Sequence, residues 1–341
     1  MSWKENIRQP GVRTALGAAL LFGAGTPIAK LLLNSVSPWL LAGLLYFGSG
    51  VGLTIYRKLI HTQTGRLSRA DIPWLAGAIL AGGIIGPVLL MMGLTGMTAS
   101  SASLLMNAEG VFTALLAWFI FKENISYQIA LGMTTIVAGA VILSWPDEIL
   151  FEGLWPAFAV LGACFAWGVD NNLTRQISLS DATWIASIKG LAAGSVNLTL
   201  AFALGATMPP LPNIAITMVV GFLAYGVSLT LFVISLRHLG TARTGAYFSV
   251  APFFGAVLAI AIGEPVTVPL LIAGGLMILG IWLHLTERHE HEHTHEVLGH
   301  EHEILPDEHH QHLPKAGHHH QHNDLKHTHP HFPDAHHRHD H

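Results

Sequence analysis

The sequence predicts an all-α membrane protein: ten transmembrane helices as two inverted five-helix repeats, followed by a disordered C-terminal tail. Three observations carry this. Windows of about 19 residues give ten apolar stretches between residues 14 and 286. The Lys and Arg residues between the stretches fall on one side of the implied membrane, and the second half of the chain repeats motifs of the first.

The spans are 14–33, 38–57, 72–94, 100–121, 125–144, 154–174, 182–205, 213–236, 244–262 and 266–286. At about 1.5 Å per residue each crosses a hydrocarbon core of about 30 Å. With a cytoplasmic N-terminus, the inside segments hold Lys4, Arg8, Arg13, Arg57, Lys58, Arg66, Arg69, Lys122, Arg175, Arg237, Arg243 and Arg288, and the outside loops hold none. Ten spans with both ends inside therefore satisfy the positive-inside rule. The expected organisation is a cytoplasmic N-terminus (1–13), a first repeat (14–144), a second repeat (145–286) and a tail (287–341). Span one is too long for a signal-peptide core and lacks a small-residue cleavage site, so it should stay in the mature protein.

Composition agrees with this. Apolar residues make up 51% and charged residues 11% of the chain, which a soluble protein of this length rarely tolerates. The lone Cys164 excludes an internal disulfide, and its place inside span six suggests packing. No phosphate-binding loop or dinucleotide fingerprint occurs, so neither ATP-driven transport nor an enzyme is expected.

The two copies lie about 141 residues apart. Phe112 meets Phe254, Ala114 meets Ala256, Leu116 meets Leu258 and Ala117 meets Ala259; after a one-residue gap Glu123 meets Glu264, and later Gly139 meets Gly280. Five spans per copy is an odd number, so the second copy is upside down relative to the first. Inverted repeats are the architecture of carriers in which rocking one repeat against the other exposes a central site.

The stretches EGVFTALLAWFIFKENIS in the first half and TARTGAYFSVAPFFGAVLAIAIGEPVT in the second resemble the EamA family of the drug/metabolite transporter superfamily. The resemblance covers about residues 12 to 286. It implies a 5+5 inverted-repeat fold around a central substrate cavity and hardly constrains the substrate. The second copy has the family's usual proline at Pro252, whereas the first has Gly110. Either residue can loosen a helix, so a kink is expected in span nine and less firmly in span four.

Polar groups inside spans are the candidate chemistry, because an ionisable group at the bilayer centre costs about 2.5–3.5 kcal/mol on insertion scales and normally faces a bundle interior. Glu109 stands mid-way along span four, with Asn107 before it and Gly110 after it. It reads either as a proton-coupling or cation-binding carboxylate, or as a protonated acid bonded to a neighbouring helix. Asp170 and Lys189 fall at similar depth in spans six and seven and should form a structural ion pair, while Lys30 should snorkel to the interface. Tyr225 and Phe222 on span eight, with Tyr247 and Phe248 on span nine, could line an apolar pocket whose hydroxyls orient a solute. The expected substrate-binding set is Asn107, Glu109, Tyr225 and Tyr247, in a cavity among spans three, four, eight and nine. Gly82, Gly83 and Gly86 read as close-packing sites.

All but three histidines, His61, His238 and His284, lie beyond residue 288, interleaved with Glu, Asp and Pro. This composition predicts a disordered cytoplasmic tail. His289, His291, His293, His295, His309, His310, His312, His318, His319 and His320 are its candidate metal ligands, for Zn, Ni or Co. A solvated polyelectrolyte without a metal role is the other reading. Formal matches to the H-E-x-x-H protease pattern there arise by repetition and lack an ordered helix.

The expected function is a secondary transporter exporting a small organic metabolite or drug-like solute, with proton coupling open and a metal-binding tail. The alternatives are a divalent metal (Zn/Ni/Co) transporter and a non-transporting membrane metal buffer or sensor. Expected partners are a small-molecule solute and membrane lipid, with a homodimer left open and no nucleic acid; no cofactor is required. The expected location is the cytoplasmic (inner) membrane of a bacterium.

Overall fold

The computed structural model describes residues 10–60, 68–120, 127–144, 151–286, 292–294, 299–301, 319–321 and 326–328. It divides into two units, residues 1–287 and 288–341. The first is helical throughout: α1 (Pro10–Leu32), α2 (Pro38–Leu59), α3 (Arg69–Thr95), α4 (Ala99–Leu105), α5 (Ala108–Phe119), α6 (Tyr127–Ser144), α7 (Phe151–Gln176) and α8 (Ala182–Ala203). Then come α9, which runs through Leu211–Val220, Gly221–Val227 and Ser228–Phe248, α10 (Ala251–Ala261) and α11 (Val268–Leu285).

Among the described residues, six stretches are long and apolar enough to cross a membrane: Pro10–Leu32, Pro38–Leu59, Arg69–Thr95, Ala99–Phe119, Ala182–Ala203 and Leu211–Thr241. Shorter apolar helices cover Ala130–Ile142, Ala251–Ala261 and Val268–Leu283. The unit is apolar on the outside as well as within. Leu80, Phe158, Val219, Val257, Leu271 and Trp282 are exposed, whereas Asn107, Glu109, Asp170, Asn172, Lys189 and Asn197 are buried. Water would penalise such a surface and lipid does not.

The repeat is visible in the backbone. α3 and α9 each contain a seven-residue π turn, Ile79–Ile85 and Gly221–Val227, 142 positions apart. Packing is reciprocal too. α1 lies against α9 and α10, and its counterpart α7 lies against α3 and α5, while the equivalent helices α2 and α8 pack on each other, as do α6 and α11. Each repeat thus lends its first helix to the other, and the core of Leu40, Leu45, Met91, Leu105, Trp167, Tyr225 and Met277 is shared.

Spans four and nine are both broken near mid-length, α4 from α5 at Met106–Asn107 and α9 from α10 at Ser249–Val250. At Pro252 the missing N–H falls in the first turn of α10, where no donor is needed. The first copy breaks without a proline. There Asn107 turns its amide back onto the Leu104 carbonyl at 3.0 Å, offering that group a partner outside the helical ladder. α9 has a further break at Gly240, whose φ of 72° suits a residue without a Cβ.

The second unit is described only as two short antiparallel pairings, β1 (Glu292–Thr294) with β4 (Lys326–Thr328) and β2 (Gly299–Glu301) with β3 (His319–Gln321). The rest of the tail expected to be disordered lies outside the described residues.

Candidate functional site

α1, α2, α5, α7, α9 and α10 converge on a hollow in the first unit. A cavity of about 440 Å³ adjoins one of about 330 Å³, and Phe22, Glu109, Asn171, Phe232 and Phe248 line both. The lining comes from spans one, two, four, six, eight and nine, so span three, expected as a wall, is corrected to a backing. The reason lies in its glycines. A methyl group at Gly82 would overlap the Asp170 carboxylate, and Cβ atoms at Gly83 and Gly86 would press on Ala193 and Trp167. Helices α7 and α8 therefore seat against that face and cover it.

Glu109 is in the first turn of α5, where the helix dipole favours an acid. Its Oε1 accepts from Asn171 Nδ2 at 2.9 Å, and the same amide donates to Thr113 Oγ1 at 3.1 Å. Asn172 anchors the next position by donating to the Thr113 and Gly168 carbonyls. Asp170 also lines the larger cavity but is engaged from behind: Lys189 and Thr174 donate to its Oδ1. Lys189 is 1% exposed and gives a further bond to Thr174.

Six aromatic residues face the hollow. Phe22 is the hub, its centroid 5.6 Å from Trp167, 5.7 Å from Tyr225 and 5.4 Å from Phe248. Tyr46 lies 5.2 Å from Tyr225, and Phe232 lies 4.9 Å from Phe248. Tyr46 Oη and Trp167 Nε1 point away from the space and donate to the Gly82 carbonyl, at 2.6 and 2.9 Å.

The structure brings Glu109 and Tyr225 to the larger cavity and Asn107 to the smaller one. Tyr247 lines neither; its neighbour Phe248 does, because the helix turns about 100° per residue. Phe222 packs over Gly52 on α2 instead. Asp170 and Lys189 meet as an ion pair. The Lys30 ammonium, expected at the interface, donates to the carbonyls of Leu94 and Met97, in the last turn of α3 and just past its end. His293, His319 and His320 fall on the short strands, while His289, His291, His295, His309, His310, His312 and His318 lie outside the described residues. Sequence reasoning missed Phe22, Tyr46, Thr113, Trp167 and Phe232. Only Thr113 carried a signal, four residues from Glu109 and so on its face.

The two ends of the bundle carry ties between the repeats. At one end the Glu264 carboxylate accepts the N–H groups of Ala99 and Ser100, each at 2.8 Å. Partial burial pushes this carboxyl up, but the bonds from Ser100 and Ala99 and the nearby Lys30 outweigh it and hold it below the usual glutamate range. At the other end Arg57 pairs with Asp181 and bonds Thr183, and within the second repeat Arg237 donates to the Ser178 and Ser180 carbonyls. Burial likewise opposes ionisation of Asp181, yet donors from Thr183, Arg57 and the Trp184 N–H keep it below the usual aspartate range.

A family model described as the EamA-like transporter family matches residues 9–145 and 154–286, one match to each half. An uncharacterized transporter of Methanothermobacter thermautotrophicus is 28% identical over 292 residues, covering 80% of this chain and 85% of the relative. The uncharacterized transporter YyaM of Bacillus subtilis is 24% identical over 291 residues, covering 78% and 90%. A solved crystal structure superposes with a TM-score of 0.66 at 17% identity over 81% of this chain and 96% of that one, a likeness of fold.

Proposed function

Because the chain belongs to the EamA-like transporter family, we propose that it is a secondary carrier exporting a small organic metabolite or drug-like solute, coupled to protonation of Glu109. A multi-pass membrane transporter is what the family and the transporter-named relatives support. The ten-span inverted topology, with both termini cytoplasmic in a bacterial inner membrane, belongs to the same proposal. The observation that carries it is the shared cavity, which holds a buried carboxylate, Glu109, answered only by a neutral amide among the described residues.

The rival reading, a divalent metal carrier, needs several ligands around one point. Among the described residues no cluster of three His, Cys, Asp or Glu side chains occurs. The tail keeps a separate role in the proposal: it holds Zn, Ni or Co ions on imidazoles that coordinate only when deprotonated. Calorimetry on the full chain should find more than one bound Zn ion near pH 7.5 and loss of most on acidification through about 6.5. Equal binding by a chain ending at Glu287 would remove the tail from this role.

Coupling is tested in liposomes containing the full chain, with an imposed pH gradient, an internal pH dye and a panel of solutes. Wild-type protein should move protons only with its solute. Glu109→Gln should insert normally and lose the pH dependence, and unchanged dependence in that variant would return Glu109 to a structural role.

A further inference from the structure

Resting on the carrier reading above, we infer that the solute is an organic cation, an amine or quaternary ammonium on an apolar body, held with its charge at Glu109. The first argument is a charge count. Of the two acids lining the larger cavity, Asp170 is neutralised by Lys189. Glu109 Oε1 takes the Asn171 amide, and among the described residues Oε2 has no donor and no basic side chain lines either cavity. Among the described residues an ionised Glu109 therefore lacks a counter-charge. A cationic solute supplies one, a neutral solute leaves the buried charge unbalanced, and an anion is repelled.

The second argument is the wall. Phe22, Tyr46, Trp167, Tyr225, Phe232 and Phe248 line the cavity that contains this carboxylate. Aromatic faces attract cations, most strongly where water is excluded, and alkylated ammonium groups are weakly hydrated enough to enter such a box. Tyr225 lines the same cavity, and its hydroxyl oxygen can accept an ammonium N–H. A proton and the cation would then occupy the same carboxylate in turn, so release of one accompanies binding of the other.

The test uses three probes of similar shape and different charge: benzyltrimethylammonium, its neutral isostere neopentylbenzene, and phenylacetate. Binding to the full chain in detergent micelles is followed by calorimetry in two buffers of different ionisation enthalpy. The cation should bind with proton release, at least about tenfold more tightly than either other probe, and weaken about tenfold in Glu109→Gln. Phe22→Leu should weaken the cation more than the isostere. Equal or tighter binding of the neutral or anionic probe to wild-type protein overturns the inference, and that comparison needs no variant to fold. Flux of neutral or anionic solutes alone in liposomes would also overturn it while leaving the carrier reading intact. Cation binding at Glu109 without flux of any solute would support the site and defeat the carrier reading.

Discussion

The two π turns occupy equivalent places in the two repeats and are satisfied differently. In both, one N–H skips its helical acceptor: Gly86 N–H reaches the Ala81 carbonyl and Ser228 N–H reaches the Leu223 carbonyl. In the first repeat the next residue is Pro87, which has no N–H, so the carbonyls of Gly82 and Gly83 lose helical donors. Tyr46 and Trp167 take the first, and Asn197 takes the second at 3.0 Å. In the second repeat the equivalent residue is Leu229, which keeps its N–H, and the turn presents Tyr225 to the cavity. One turn is bound by side chains of three other helices, and the other lines the larger cavity. A duplicated backbone device has thus been divided into a fixed member and a lining member by a single proline.

Lys189 should matter most, since it holds the carboxylate packed on the fixed turn. Lys189→Met leaves Asp170 buried and unpaired, and thermal unfolding in detergent should show a loss of about 3–5 kcal/mol. A variant as stable as wild type would mean that the first turn does not depend on this pair. Next comes the proline. Trp167→Phe should cost about 1 kcal/mol by removing a donor from Gly82, and clearly less in a Pro87→Ala background where a backbone N–H is restored. Additive losses in that double-mutant cycle would break the account of why the turns differ. Smallest is Glu264→Gln, which keeps one acceptor oxygen at the start of α4 and should cost about 0.5 kcal/mol, the low end for helix caps. Because the folded carboxyl sits below its ordinary range, its contribution is present at neutral pH and is lost as pH falls through that folded value. The gap between wild type and Glu264→Gln should therefore close on acidification, and a gap that stayed constant would assign the effect to packing.

The helices were readable because each apolar window corresponds to a backbone that must satisfy its own hydrogen bonds in lipid. Glu109 was readable as an isolated acid in such a window. The π turns were not: apolar windows look the same whether an N–H reaches back four residues or five, and Gly82, Gly83 and Gly86 read only as close-packing sites. Nor could periodicity choose Phe248 over Tyr247, since the break at Ser249–Val250 resets the helix phase. Phe22 and Trp167 become site residues only when α1 and α7 cross into opposite repeats, which is a tertiary fact.

The ties at the two ends of the bundle join opposite repeats, Glu264 to the start of α4 and Arg57 to Asp181. In a carrier that rocks one repeat against the other, opening toward either side requires one tie to part while the other holds. Each tie then acts on speed more than on permanence: strengthening one would leave the fold intact and slow every cycle, and weakening both together would let the chamber leak.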